Sequence, residues 1–526
     1  MSRLRTGESK SLWMSLDSLP AEPLFQKHLR ADVCIVGAGI AGISAAYWLA
    51  REGIRVVVVT EDRIGSGQTG RTTAHLSNAM DHTYLQIEKW HGLDGAKLAA
   101  SSHTWAIDQI EYICEREGIE CEFRRIDGFH FGQSRMDTDF LTEEIKAVHR
   151  AGLTSAKLLS KFATRGAPFD GPCIHYPMQA ELHPLKYLYG LANSAAKMGA
   201  RIYTNVRVEF VDGGQPCIVS TDHGFKIECN AVFVATHAPF IDRLVMITKQ
   251  ASYQTYVIGL RIEKDSIPKA LYWDHENPFH YARVVFGASS DVLLIGGEDH
   301  KTGQAEDESA CLHRLERWAR QRLPQAGETM FRWSGQIEQS MDGLAFIGRN
   351  PMDAENVFIC TGDSGMGMTH GTIAGRIISD LIAKRENPWI SLYDPSRKRI
   401  GAARNWLDEN TNSLLQYREH FTGSEITSIA SLPRGEGAVI REGLWKSAIY
   451  RDEYGVVHEL SAFCPHLGGI VHWNKEEKAW DCPCHGSRFA PLGKVIHGPS
   501  KCGLKQMRQP SQLPGLQTDK ALIGNI

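Results

Sequence analysis

The sequence predicts a large α/β domain elaborated by an antiparallel sheet, followed by a small all-β domain. Three observations predict it. Residues 32–60 run strand, glycine turn, helix, strand; residues 250–336 repeatedly alternate apolar and polar positions; and short strands separated by Gly and Pro turns crowd residues 425–526. At 526 residues the chain exceeds what one hydrophobic core serves, which leaves room for both domains.

Composition excludes some functions. An apolar content of 42% and a charged content of 23% are ordinary for a globular protein. A net charge of −3 supplies no basic footprint, so nucleic acid is not an expected partner. The first residues have no apolar core of the kind a secretory signal needs, and no apolar run reaches the length of a membrane span. The twelve cysteines are scattered apart from one group near the end, and free thiolates suit a reducing compartment. The expected location is cytoplasmic.

Residues 1–30 are polar and include Pro20 and Pro23, which predicts an extended arm whose Trp13 and Leu16 can pack on a neighbour. Asp32–Val36 reads as a short buried strand, Ile43–Glu52 as a helix and Arg55–Thr60 as a second strand. Between the first strand and the helix lies Gly37-Ala38-Gly39-Ile40-Ala41-Gly42. In that context the glycines have a mechanism. Gly37 permits a tight turn, Gly39 lets backbone approach a pyrophosphate, Gly42 brings helix against strand, and Ile40 and Ala41 open the helix onto the phosphates. A dinucleotide-binding unit follows. An acid for the ribose is expected at the end of the second strand, where the chain reads Thr60-Glu61-Asp62; Glu61 is the choice, with Thr60 the alternative in register.

Gly65–His75 is too rich in glycine and hydroxyls to be core. It resembles the GxxGRxxA stretch of FAD-dependent oxidoreductases of the D-amino-acid-oxidase/glycine-oxidase-like family. That resemblance implies FAD as the dinucleotide, Thr69, Gly70, Arg71, Thr72, Thr73 and Ala74 along it, and His75 near the flavin. Taken alone, the same loop also reads as an exposed surface turn.

Helical spacing predicts helices over 84–90, 96–117, 138–151 and 156–162, with an alternating strand over 121–131. A helix over 185–198 and strands over 201–205 and 206–211 come next; the resemblance places Val208 against the adenine. The strand 231–235 leads into Thr236-His237, and the resemblance makes Ala235 and Thr236 a second turn beside FAD, while His237 reads as ordinary structure. Strands over 253–262, 280–286, 292–295 and 329–333 predict a large antiparallel sheet roofing the flavin. Gly296-Gly-Glu-Asp-His-Lys301 closes one of them. It resembles an element of family members with an appended iron-sulfur domain, and it also reads as a solvated turn. A helix over 305–323 follows.

After the strand 357–361 comes Gly362-Asp-Ser-Gly365-Met-Gly367-Met368-Thr369-His370, opening a helix that runs to Ala383. Small residues before a helix N-terminus suit the polar edge of a cofactor. The resemblance implies that Gly362, Gly365, Gly367, Met368 and Thr369 border the flavin. It covers residues 31–395, with FAD-binding parts at 31–85, 180–245 and 335–395 and substrate-domain parts at 86–179 and 246–334. An amphipathic linker, 396–424, leads to the β domain at 425–526, whose first strands are predicted over 426–430, 438–441, 446–451 and 456–462.

That domain holds two clusters, Cys464-Pro-His466 and Cys482-Pro-Cys-His485, each offering one thiolate and one imidazole. Two Cys and two His satisfy a tetrahedral zinc. They also satisfy a 2Fe-2S cluster with two cysteines on one iron and two histidines on the other. The sequences CPHLGG and CPCHGSRF resemble both ligand loops of a Rieske domain in residue type and order, which implies the cluster. In respiratory-type Rieske domains each loop adds a cysteine and the pair forms a disulfide; here Cys484 is present but Gly469 stands in the first loop. Phe489 occupies the place of a tyrosine that donates to a ligand sulfur, while Ser487 is kept. The expectation is a reduction potential below the respiratory range.

Only one dinucleotide fingerprint is visible, so reducing equivalents are expected from an organic substrate rather than from a nicotinamide. The resemblance implies an amine or amino acid whose carbon beside nitrogen gives hydride to FAD. A one-electron outlet points to a dehydrogenase that serves an external one-electron acceptor. His75, Trp333, Gln336 and His370 are the candidate catalytic residues, with Tyr253 and Tyr256 on the same face. Reverse flow, in which the cluster feeds FAD, and a redox sensor without turnover are the alternatives.

Overall fold

The computed structural model describes residues 7–16, 28–132, 138–162, 167–241, 245–305, 307–443 and 445–508. Val33–Val36 and Val56–Val59 are buried along their whole length, as central parallel strands require. They sit in a six-stranded sheet in the order 346–349, 357–361, 231–234, 33–36, 56–59, 201–203, parallel except for the first strand. The helix Ile40–Arg51 follows the first strand, and Gly367–Ile382 packs against it. Contact is close because Gly371 and Gly375 carry no side chain: a Cβ there would stand 2.6 Å from Ile40 Cγ2 and from Ser44 Cβ. Two helix N-termini are thereby brought to one end of the sheet.

A nine-stranded, mostly antiparallel sheet forms the second layer, in the order 329–340, 250–262, 291–301, 280–285, 270–273, 124–131, 171–181, 75–76, with 157–162 paired to 171–181. The β domain adds two four-stranded sheets around Tyr450, Trp473, Trp480 and Phe489. The predicted fold class, an α/β dinucleotide-binding domain with an antiparallel substrate sheet and a C-terminal all-β domain, is the one observed.

Several elements differ from expectation. Lys157–Phe162 is a strand, not a helix; its short apolar run fits either period, and pairing with Gly171–Glu181, itself unforeseen, decides the matter. Gly296–Lys301 is not a closing turn but continues the strand Asp291–Lys301. The two helices expected over 84–117 form one element with non-helical backbone at Gly92. Ile429–Ser431 is a 3₁₀ turn rather than part of a strand. The linker forms the helix Ala403–Leu415, which buries none of its residues fully.

The N-terminal segment 7–16 is docked rather than extended in solvent. Trp13 is buried, its indole donates to the Thr72 carbonyl at 2.6 Å, and its ring packs on His183 and beneath Arg283. Leu16 packs against the same core. Pro20 and Pro23 lie outside the described residues.

Candidate cofactor and substrate site

A cavity of ≈ 1100 Å³ runs from the helix Ile40–Arg51 to the large sheet. Its nucleotide end is lined by Gly37, Gly39, Ile40, Ala41, Thr60, Glu61, Thr69, Val208, Ala235 and Thr236. Gly37 has φ +108°, and a Cβ there would stand 2.4 Å from the Ala235 carbonyl. Gly42 lies behind the wall, where a Cβ would come 2.0 Å from the Gly37 carbonyl. Gly39 caps the helix without a side chain, leaving the N-terminus facing the cavity, while Thr69 Oγ1 accepts from the Ile40 N–H at 3.1 Å. This is a cradle for a pyrophosphate, and it fits one. Thr60 is tied to its neighbours by backbone, donating to Tyr203 and accepting from Val206. Glu61 offers a carboxylate, 3.7 Å from Arg207 Nη1 and 3.6 Å from Lys494 Nζ.

Along the middle of the cavity run Thr69, Arg71, Thr72, Thr73 and His75. Gly70 and Ala74 are not in the wall; their carbonyls accept from Ser11 Oγ at 2.5 Å and from Arg283 Nη1 at 2.8 Å. The Arg71 guanidinium turns away from the cavity to Glu477, Ser9 and the Ser334 carbonyl. Gly362, Gly365, Gly367 and Met368 line the far side, whereas Thr369 points back to the Met366 carbonyl.

The candidate catalytic residues divide. His75 lines the cavity beside Thr73 Oγ1 and Tyr281; burial and then Arg283 push its pKa down to about 3, so it is neutral at physiological pH. His370 also lines it, lowered to about 4 chiefly by burial, with Nδ1 donating to the Asp363 carbonyl at 2.9 Å and Nε2 against His103. Trp333 stands outside the wall, fully buried, its indole donating to the Arg71 carbonyl at 2.8 Å. Expected on the substrate face, its ring instead packs behind the glycine-rich loop, against the Arg71 carbonyl. Gln336 lines the cavity, yet its amide donates to Gly486 in the β domain at 2.8 Å. Tyr253 lines the cavity; Tyr256 does not, and its hydroxyl meets His300.

Besides Glu61, the cavity is lined by Asp62, Glu209, Asp222 and Glu276, and by three carboxylates with strongly shifted titration, Asp81, Asp299 and Asp363. Burial, and for Asp81 the charges of the other two, raises their pKa values to about 7, 6 and 7 respectively. Asp299 belongs to the Gly296–Lys301 stretch and Asp363 to Gly362–His370. The β domain contributes as well: Lys494–Gly498 and Ser500–Gly503 line the nucleotide end.

The two ligand loops close with matching bonds, Gly468 N–H to the Cys464 carbonyl and Gly486 N–H to the Cys482 carbonyl. Cys464 and Cys482 meet thiol to thiol, and the His466 and His485 rings meet at 5.2 Å. Sulfur with sulfur and nitrogen with nitrogen is the donor separation a cluster with differently ligated irons takes; a single zinc draws all four donors around one point. The Ser487 hydroxyl bonds Cys464 Sγ. Cys484 Sγ faces Gly469, where a Cβ would be 2.5 Å away. The second loop is clamped from outside its domain: Gln304 donates to Pro483, Ser413 to Cys484, Ser252 to His485 and Gln336 to Gly486, all at carbonyl oxygens.

Residues 32–381 match the model of the FAD dependent oxidoreductase family, DAO, about two thirds of the chain. The chain belongs to this family of FAD-dependent oxidoreductases. Residues 425–508 match the Rieske [2Fe-2S] domain, so this oxidoreductase has FAD and a Rieske 2Fe-2S cluster as its cofactors. It is 29% identical over 504 residues to the Rieske 2Fe-2S iron-sulfur protein YhfW of Bacillus subtilis (strain 168), covering 95% of this chain and 97% of that one. It is 27% identical over 369 residues to γ-glutamylputrescine oxidoreductase of Escherichia coli (strain K12), covering 67% and 84%. Its fold superposes on glycine oxidase from Geobacillus kaustophilus with a TM-score of 0.60 at 20% identity, over 70% of this chain and 99% of that one. No helix among the described residues of this oxidoreductase is long and apolar enough to cross a membrane.

Proposed function

We propose that this FAD-dependent oxidoreductase dehydrogenates the C–N bond of an amine or amino acid and passes the electrons singly through its Rieske cluster to an external acceptor. The observation that carries the reading is the clamp on Pro483–Gly486, because Ser252 and Gln336 belong to the same strands that wall the cavity. Bound FAD would supply the hydride acceptor for the carbon beside nitrogen, and water would hydrolyse the imine that the substrate becomes.

The chain's own residues have separate tasks in this scheme. The Gly37–Gly42 turn, Thr69 and Glu61 hold the nucleotide; Ala235, Thr236 and the Gly362–Met368 turn border the rest of FAD. The N-terminus of Gly367–Ile382 favours negative charge at its mouth. His75 and His370, both neutral, position rather than protonate. Cys464, Cys482, His466 and His485 would hold the 2Fe-2S cluster, the two thiolates on one iron and the two imidazoles on the other. Pro465 and Leu467 beside His466 are exposed, which supports an outward edge for the acceptor. Buried free thiols suit a cytoplasmic setting.

Anaerobic mixing with a panel of amines and amino acids tests this. The expected result is bleaching of the flavin band followed by reduction of the cluster, and in Cys464→Ser, flavin bleaching with no cluster signal. A panel that leaves the flavin oxidised, while a chemically reduced cluster feeds electrons into it, establishes the reverse flow instead.

A further inference from the structure

The cations of the cavity are confined to one end. At the nucleotide end stand Arg207 and Lys494 near Glu61, with Arg63 and Lys501 in the same stretches of wall and the acids Asp62, Glu209 and Asp222 among them. Arg71, the remaining arginine in the wall, has its guanidinium engaged by Glu477. On the large-sheet side there is no lysine or arginine among the described lining residues; besides Glu276, which lies 3.6 Å from Arg322 Nη2, there are Asp81, Asp299 and Asp363. The three share one region, since Asp81 is influenced by the charges of both others.

Two of these carboxylates each leave one oxygen unpartnered: Asp299 Oδ1 and Asp363 Oδ1 are buried without a hydrogen bond, while Thr255 and the Gly365 backbone bond the same two side chains. Trp273, Phe279 and Tyr281 add aromatic surface beside them. Acceptors and aromatic faces without a cation suit a ligand that brings positive charge and N–H donors. A carboxylate ligand would need the opposite, an arginine fork or an ammonium, and it would meet like charge here.

We propose that the substrate of this site is a diamine or polyamine: a compact chain with an ammonium group beyond the reacting nitrogen and without a carboxylate. The inference rests on the reading of this cavity as an amine-oxidising site and narrows it. Asp81 and Asp299 hold the distal ammonium, and the amine to be oxidised lies towards the flavin.

A matched series tests it, using the oxidised, FAD-loaded protein with its cluster. The probes are 1,4-diaminobutane, butylamine and 4-aminobutanoate, which share a four-carbon chain and differ at its far end. Binding is read anaerobically from the shift of the flavin absorption band, and reduction from its bleaching. The diamine is expected to bind about tenfold or more tighter than butylamine, with 4-aminobutanoate weakest. Asp81→Asn and Asp299→Asn should each reduce the diamine-to-butylamine ratio severalfold; two variants guard against one that misfolds. Equal binding of the three probes, preference for 4-aminobutanoate, or an unchanged ratio in both variants overturns the inference. Tight, selective diamine binding without bleaching by any amine upholds the selectivity and removes the proposed dehydrogenation.

Discussion

Arg71 Nη1 and Glu477 Oε1 lie 3.1 Å apart, with both side chains 1% exposed. Arg71 comes from the glycine-rich loop beneath the FAD cavity, Glu477 from the Rieske domain, and Ser9 of the N-terminal segment bonds both. Attraction to Arg71 and Arg488 holds the Glu477 carboxyl below the usual glutamate range despite its burial. One ion pair therefore joins three separate parts of the chain. Glu477→Gln should cost about 3–5 kcal/mol, because it leaves a buried guanidinium uncompensated. The double change Arg71→Met with Glu477→Leu should recover much of that loss. Denaturant unfolding of the two variants checks this, and a double variant worse than the single one refutes it.

Gln336 joins the sheet to the cluster loop through Gly486. Gln336→Leu removes that bond, with an expected cost of about 1 kcal/mol at the contact. Flavin reduction by substrate should keep its rate within about threefold, while transfer from flavin to cluster slows by about fivefold or more. Stopped-flow spectroscopy separates the two steps. A variant that instead loses substrate-driven bleaching would restore Gln336 as a catalytic residue.

Glu338 is buried between Ser252 and Gln250, which donate to it at 2.6 and 3.2 Å, and burial raises its pKa to about 8. The folded state then binds a proton that the unfolded state has released. Its contribution to stability is full below the ordinary glutamate value of 4.5 and falls as pH rises towards about 8. Between pH 5 and 8 the wild-type protein should lose roughly 4 kcal/mol of stability relative to Glu338→Gln. Unfolding free energies of both proteins across that window provide the measurement; parallel curves would show that Glu338 is not the group responsible.

Phe489 is fully buried in the Rieske core and brings no hydroxyl, and Ser487 supplies a side-chain hydroxyl bonded to Cys464. Phe489→Tyr adds a donor near the cluster. A difference of about 1 kcal/mol between oxidised and reduced forms would raise the potential by roughly 40 mV. Redox titration of both proteins tests this, along with the expectation that the wild-type value lies below the respiratory range.

The fold and the cofactors were legible where chemistry dictates residue type at fixed spacing. The Gly37–Gly42 turn could be read because a Cβ at Gly37 or Gly42 meets backbone oxygen, and the ligand loops because a cluster needs two thiolates and two imidazoles. Lys157–Phe162 was illegible because its partner strand, not its own pattern, made it a strand. The same holds for Gly296–Lys301, whose charged residues look like a turn until pairing with 250–262 and 280–285 extends the strand. Arg71 and Gln336 line the cavity and also bond Glu477 and Gly486, contacts that sequence spacing does not reveal because they come from a second domain. The acids of the cavity carry no local signature at all; Asp81, Asp299 and Asp363 are brought together only by the tertiary fold.

Lys494–Gly498 and Ser500–Gly503 of the Rieske domain form part of the wall around the nucleotide end, with Gln68 to His497 and Arg207 to the Lys501 carbonyl as its fastenings. The iron-bearing module is thus also part of the flavin's enclosure, and a chain cut at the linker is expected to hold FAD less tightly even though every residue of the glycine cradle is intact.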